Sequence, residues 1–381
     1  MVSAKKTAVV FLIFQLMFLQ TTIVARADDT EIKAPSAVLM DGLTGKILFE
    51  KNSHDKRPCA SLTKIMTLYL IFEAIENGKI TAQDMLVAGD YVSSVEGAHV
   101  WIKPGESLSV NDLIKSIAVA SANDASLVLA YNLCGSEKKF VLQMQEKARE
   151  IGMKDTTFKN CNGIEQEGHV SSAHDIALLS KKILQYKEVF DYTSIWMDSI
   201  REGKTQIVNT NKMLKNYNGT TGLKTGTTDE AGSCIAASVT RENFTLVAVV
   251  LGCKTGVERF DDATKLFDYG FSNYKLVSID FPPESLPPVN ITGAAESKVQ
   301  VDTRSEQEII VKKGEEKKIK SEIILPKEMN APIKAGQKLG KIVHKIGDNV
   351  LTEYPITATK NVGELSFTLA FLLLLRNFVS M

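Results

Sequence analysis

Cysteine is scarce in this chain. Five residues (Cys59, Cys134, Cys161, Cys234 and Cys253) are spread over 381 positions, and none forms a C-x-x-C pair. An odd, widely spaced set argues against a disulfide scaffold and against a zinc site. Small buried thiols are the expectation. Histidine is equally sparse: His54, His99, His169, His174 and His344. His169 and His174 lie five apart, a poor spacing for two metal ligands on one helix face. Charge of one sign is also missing, because 45 basic residues balance 45 acidic ones. That balance argues against a nucleic-acid partner. The chain contains no internal repeat and no extended low-complexity tract.

Long apolar stretches occur at the two ends. At the start, Lys5 and Lys6 precede a mostly apolar run from Ala8 to Val24, then Ala25-Arg26-Ala27. This order reads as a secretory signal peptide over 1–27, cleaved to leave Asp28 first. Its removal takes three basic residues and no acidic one, shifting the formal charge from zero to −3. At the other end, Phe367 to Leu375 holds four consecutive leucines and is followed by Arg376. The run is shorter than the ~20 residues of a helical span. Shallow insertion over 362–381, with Arg376 reaching to headgroups, is the expected mode of membrane attachment.

Between the ends the chain is long enough for two domains. Ser36 to Met40 and Lys46 to Glu50 read as strands joined by a turn. Helical patterns follow over 61–77, 110–120, 123–134, 137–150 and 172–185. Strand character returns at Cys234 to Thr240 and Phe244 to Cys253, rich in β-branched residues. These elements predict an α+β fold, a mixed helix-covered antiparallel sheet closed by both ends of its domain. Pro282-Pro283 and Pro287-Pro288 mark a change of texture. Beyond them, short strand-like pieces at 299–301, 308–311, 319–324, 341–344 and 354–357 predict a small all-β domain. The expected division is 28–276 and 277–361.

Three short motifs carry chemistry: Ser61-Leu62-Thr63-Lys64, Ser121-Ala122-Asn123 and Lys224-Thr225-Gly226. Each has copies elsewhere. Ser-x-x-Lys recurs at Ser3, Ser53, Ser136 and Ser272, Ser-x-Asn at Ser109, and Lys-Thr-Gly at Lys254. Context chooses among them. Only Ser61 opens a long apolar helix, where Lys64 shares its face and can act as base. Ser121 and Asn123 stand between two helices and can point into a cleft. Lys224 and Thr225 precede two apolar strands, with Gly226 allowing close approach to the backbone. The Lys254 copy follows a strand and reads as a turn. A second lysine near Lys64 would favour its neutral amine. No histidine lies close in sequence to Ser61, which argues against a Ser-His-Asp triad.

In this order the motifs resemble those of the serine penicillin-recognising enzymes. Within them the chain is similar to the D-alanyl-D-alanine carboxypeptidases of the low-molecular-mass penicillin-binding proteins. Asn162-Gly163 and Ser171-Ser172-Ala173-His174-Asp175 extend the likeness. The resemblance implies that Ser61 attacks the peptide carbonyl between two D-alanines and that Lys64 takes its proton. It implies that Ser121 passes a proton to the leaving amine and Asn123 holds the substrate amide. Lys224, Thr225 and Arg259 would receive the terminal carboxylate, and the N–H groups of Ser61 and Thr227 the oxyanion. The implied partners are peptidoglycan stem peptides ending in D-Ala-D-Ala, β-lactams and a membrane surface on the extracytoplasmic side. No metal or cofactor is implied.

Related activities share these motifs. A class A β-lactamase needs Glu-x-x-Leu-Asn for deacylation, and neither Glu165 nor Glu167 begins that pattern. A D,D-endopeptidase or transpeptidase would use the same acyl-enzyme with another leaving group or acceptor. A non-catalytic penicillin-binding sensor would keep its role without Ser61.

Overall fold

The computed structural model describes residues 31–294, 296–368 and 371. The expected signal peptide lies outside these residues, as does most of the C-terminal apolar run. Among the described residues, no helix is long and apolar enough to cross a membrane.

The larger, N-terminal part is built on a five-stranded antiparallel sheet. Strands β1 (Ser36–Asp41) and β2 (Ile47–Lys51) come from the start of the domain. Strands β3 (Thr220–Thr228), β4 (Gly232–Arg241) and β5 (Phe244–Cys253) come from its end. The order β2-β1-β5-β4-β3 joins both ends through the β1–β5 pair, with Val38 opposite Val249. This is the closure predicted from the sequence.

Helices cover both faces, which is why β4 and β5 read as continuous apolar runs rather than alternating ones. The alternation survives in what each side chain meets. Val38, Met40, Val247 and Val249 join one core with α1 (Lys64–Glu76) and α5 (Ala173–Ile183). Leu39 and Leu246 turn the other way, against α6 (Gly256–Asn273). There a Cβ on Gly270 would stand 2.5 Å from Leu246 and 2.8 Å from Leu39. Burying such an aliphatic side chain contributes about 1.5–3 kcal/mol.

Helices α2 (Val110–Ala118), α3 (Asn123–Cys134) and α4 (Glu137–Ile151) complete the helical layer. Ser109 caps α2, Ser136 caps α4 and Ser172 caps α5, each accepting the backbone N–H three residues on. The second Lys-Thr-Gly copy differs from the sequence expectation. It is not a free turn: Thr255 caps α6, accepting from Glu258 N at 3.2 Å. The polar first turn of α6 hides its apolar stripe of Ala263, Leu266 and Phe267.

The chain leaves α6 directly into a strand, Tyr274–Asp280, which pairs antiparallel with Glu306–Lys312. The proline pairs therefore follow the first strand of the β-rich region. A four-stranded sheet then places Val301–Asp302, Asn349–Ala358, Lys338–Ile346 and Lys320–Ile324 side by side. Val289, Val299, Ile342 and Ile356 form a core separate from the first.

Candidate active site

Ser61 does not sit on α1 itself. It occupies a 3-10 turn, Ala60–Thr63, that leads into the helix, and Ala60 before it has φ +48. The turn keeps the i, i+3 relation of Ser61 and Lys64, so the two side chains meet. Lys64 Nζ donates to Ser61 Oγ at 2.9 Å and to the Asn162 carbonyl at 2.6 Å. Lys64 is fully buried. Burial pushes its ammonium down to about 7, against the partial opposing pull of Cys161 and Asp124. The sequence points to a neighbouring lysine as the cause of this lowering; desolvation produces it instead. The like-charge effect falls instead on Lys224, held well below its ordinary range by burial first and by Lys64 and Arg259 next.

Two glycines let backbone segments press against the serine turn. A Cβ on Gly163, at φ +85, would lie 2.0 Å from the Ala60 carbonyl oxygen. A Cβ on Gly226 would lie 2.9 Å from Ser61 N and 3.0 Å from Cys59 O. The small residue of the third motif thus admits the serine turn, where the sequence reading had a ligand. The Asn162–Gly163 loop is tied down by Asn160, whose Oδ1 accepts from Gly163 N at 2.7 Å.

Ser121 lies at φ +62 in the short link between α2 and α3. Its hydroxyl has no hydrogen-bond partner among the described residues. Asn123 is the first residue of α3 rather than its cap, which is Ala122. Its N–H reaches Ala98 O at 2.7 Å and its Nδ2 reaches Glu96 O at 2.6 Å. Its Oδ1 is buried without a partner among the described residues.

Lys224 and Thr225 sit on β3, the edge strand. Lys224 Nζ donates to Thr225 O at 3.1 Å, and Thr225 Oγ1 pairs with Thr210 Oγ1 at 2.6 Å. Arg259 reaches across from the first turn of α6. Its Nη1 donates to Thr227 Oγ1 at 2.8 Å and to Gly226 O at 2.9 Å. None of the ion pairs among the described residues involves Lys64, Lys224 or Arg259. Three basic groups converge with no carboxylate in contact with them, an arrangement suited to an anionic ligand.

Other residues shape the site without a signal in the motifs. Thr63 Oγ1 meets His169 Nε2 at 2.8 Å and Cys59 Sγ at 3.5 Å. A distant histidine thus approaches the first motif, but at Thr63 rather than Ser61. Burial lowers His169 to about 4 and raises the Cys59 thiol to about 11. Glu165 Oε1 accepts from Glu230 N at 2.7 Å, so this carboxylate holds the β3–β4 turn. The Asn162 carbonyl, which takes the second bond of Lys64, could be read only as part of the Asn162-Gly163 pair. Nothing in the sequence marks Thr210.

Known proteins resemble this chain in sequence and in fold. The family model described as D-alanyl-D-alanine carboxypeptidase matches residues 22–255. That of the penicillin-binding protein 5 C-terminal domain matches residues 271–364. The D-alanyl-D-alanine carboxypeptidase DacF of Bacillus subtilis is 38% identical over 346 residues, covering 90% of this chain and 89% of the relative. The crystal structure of penicillin-binding protein 5 from Haemophilus influenzae superposes with a TM-score of 0.78 at 28% identity. It covers 88% of this chain and 98% of that one. Penicillin-binding protein D2 from Listeria monocytogenes, solved in an ampicillin-bound form, has a TM-score of 0.58 at 32% identity. It covers 63% of this chain and 98% of that one.

Proposed function

Because the chain belongs to the D-alanyl-D-alanine carboxypeptidase family, a serine peptidase family of penicillin-binding proteins, we propose that Ser61 is its nucleophile and Lys64 its base. The reaction is hydrolysis of the terminal D-alanine from a peptidoglycan stem peptide through an acyl-enzyme. Neutral Lys64 takes the Ser61 proton as Oγ bonds to the carbonyl carbon of the penultimate D-alanine. The Ser61 and Thr227 N–H groups receive the oxyanion. The carbon–nitrogen bond then breaks, and the proton passes from Lys64 through Ser121 to the departing amine. Water cleaves the Ser61 ester to restore the enzyme. Asn123 holds the substrate amide, and Lys224, Thr225 and Arg259 hold the terminal carboxylate. A β-lactam follows the same first step, with its leaving nitrogen tethered in the opened ring.

The observation that carries this reading is the buried Lys64 amine, 2.9 Å from Ser61 Oγ and held near 7. Release of D-alanine from a D-Ala-D-Ala pentapeptide tests it. Wild-type protein releases the amino acid and Ser61→Ala does not. Equal release by both would refute the assignment. Rapid penicillin turnover without D-alanine release would point to a β-lactamase instead. The engagement of Glu165 with the β3–β4 turn favours the peptidase.

The substrate puts the site of action outside the cytoplasm. The finer placement is also our proposal: residues 1–27 direct secretion and 362–381 attach the chain to the membrane surface. Residues 28–276 form the peptidase domain, and the β-rich 277–361 space it from the lipid. Exposure of Phe367 and Phe371 supports the attachment. Deleting 362–381 should release active soluble enzyme, whereas unchanged membrane retention would count against that segment.

A further inference from the structure

Trp101 is 76% exposed while Val100 and Ile102 on either side are buried. Its backbone stands at φ +61, in the left-handed region that non-glycine residues rarely adopt. Neighbouring groups impose that conformation. The Asp124 carboxylate accepts the Val100 N–H at 3.1 Å and the Ile102 N–H at 3.0 Å. Arg201 Nη1 donates to Val100 O at 3.1 Å. The His99 ring meets the indole edge-to-face, with centroids 3.7 Å apart. Strain retained to hold an aromatic ring in solvent points to a ligand rather than to packing.

The indole stands at the rim of an open depression of about 650 Å³, lined also by Lys103, Pro104, Arg201 and Thr205. The same loop is bonded to the active site, through Ala98 O to Asn123 N and Glu96 O to Asn123 Nδ2. From Ala98 to Trp101 is three residues, at most ~11 Å of chain. The four stem-peptide residues between the scissile bond and the glycan reach up to ~14 Å. A sugar at the far end of a stem peptide held at Asn123 is therefore within chain length of the indole.

We propose that Trp101 and this depression form a subsite for the N-acetylated amino sugar that bears the stem peptide. The C–H face of the sugar lies on the indole, whose π-face attracts polarised C–H groups. Its hydroxyl and acetamido groups meet Lys103 and Thr205. The proposal rests on the carboxypeptidase reading and makes the enzyme prefer glycan-linked substrate over free peptide.

The test compares kcat/KM for D-alanine release from a disaccharide pentapeptide and from the free pentapeptide. Wild-type protein should prefer the first. Trp101→Gly removes the ring at a φ that suits glycine, so the fold is retained, which its Tm will verify. It should lower the preference about tenfold, and Trp101→Tyr should keep most of it. No wild-type preference, or equal losses on both substrates, would overturn the subsite. Absence of D-alanine release from either substrate by wild-type protein would instead refute the carboxypeptidase reading.

Discussion

Lys64 Nζ and the Asn162 carbonyl oxygen are 2.6 Å apart, in a pocket closed to solvent. The bond aims the amine at Ser61, and burial brings its pKa to about 7. The base is the neutral form, so acylation depends on the deprotonated fraction. The second-order rate of acylation by penicillin should climb about tenfold per pH unit below 7 and level off above it. A rate still climbing toward pH 10 would mean that Lys64 keeps its ordinary value.

Gly163 makes the serine turn possible. Its φ is +85, and a Cβ added there would come within 2.0 Å of Ala60 O, which leaves no room for a side chain. The obstacle is backbone, which cannot rotate aside. Gly163→Ala should lose several kcal/mol of stability and at least tenfold in acylation rate among molecules that still fold. Denaturant unfolding together with penicillin labelling will measure both. An alanine variant of unchanged stability would contradict the packing described.

The parts of this architecture that follow local pattern were legible in the sequence. The helix over Asn123–Cys134 and the strand over Phe244–Cys253 have the predicted bounds. Ser61, Lys64 and Lys224 stand in motifs singled out by order and context, whereas Arg259 is implied only by the family resemblance. What escaped were relations between distant segments. The cap at Thr255 looked like a turn, because a Lys-Thr-Gly triplet carries the same residues in either setting. Gly226 was read as room for a ligand, because its contact with Ser61 N joins residues 165 positions apart. The Thr63–His169 bond spans 106 positions and has no local signature.

Arg259 anchors its guanidinium on Thr227 and Gly226 while facing no acid. Removing it should lower kcat/KM for a D-Ala-D-Ala peptide by about 10²-fold, in the range for loss of a desolvated charge pair. The same change should cost little on a C-terminally amidated peptide, which offers no carboxylate. Equal losses on the two substrates would show that Arg259 supports the fold instead.

His169 links stability to pH. Its folded-state pKa of about 4 is below the ordinary 6.5, because burial disfavours the imidazolium. The unfolded chain therefore binds the proton first. Stability is full above about 6.5 and falls as pH drops toward 4, by about 3 kcal/mol for this group. Thermal unfolding between pH 7.5 and 4.5 should show a steeper loss in wild-type protein than in His169→Gln. Parallel curves would exclude His169 as the source.

The most direct measurement is mass spectrometry of the protein after incubation with penicillin, followed by peptide mapping. One covalent adduct is expected, on the peptide containing Ser61, and Ser61→Ala should carry none. An adduct on another residue, or none on folded wild-type protein, would contradict the account.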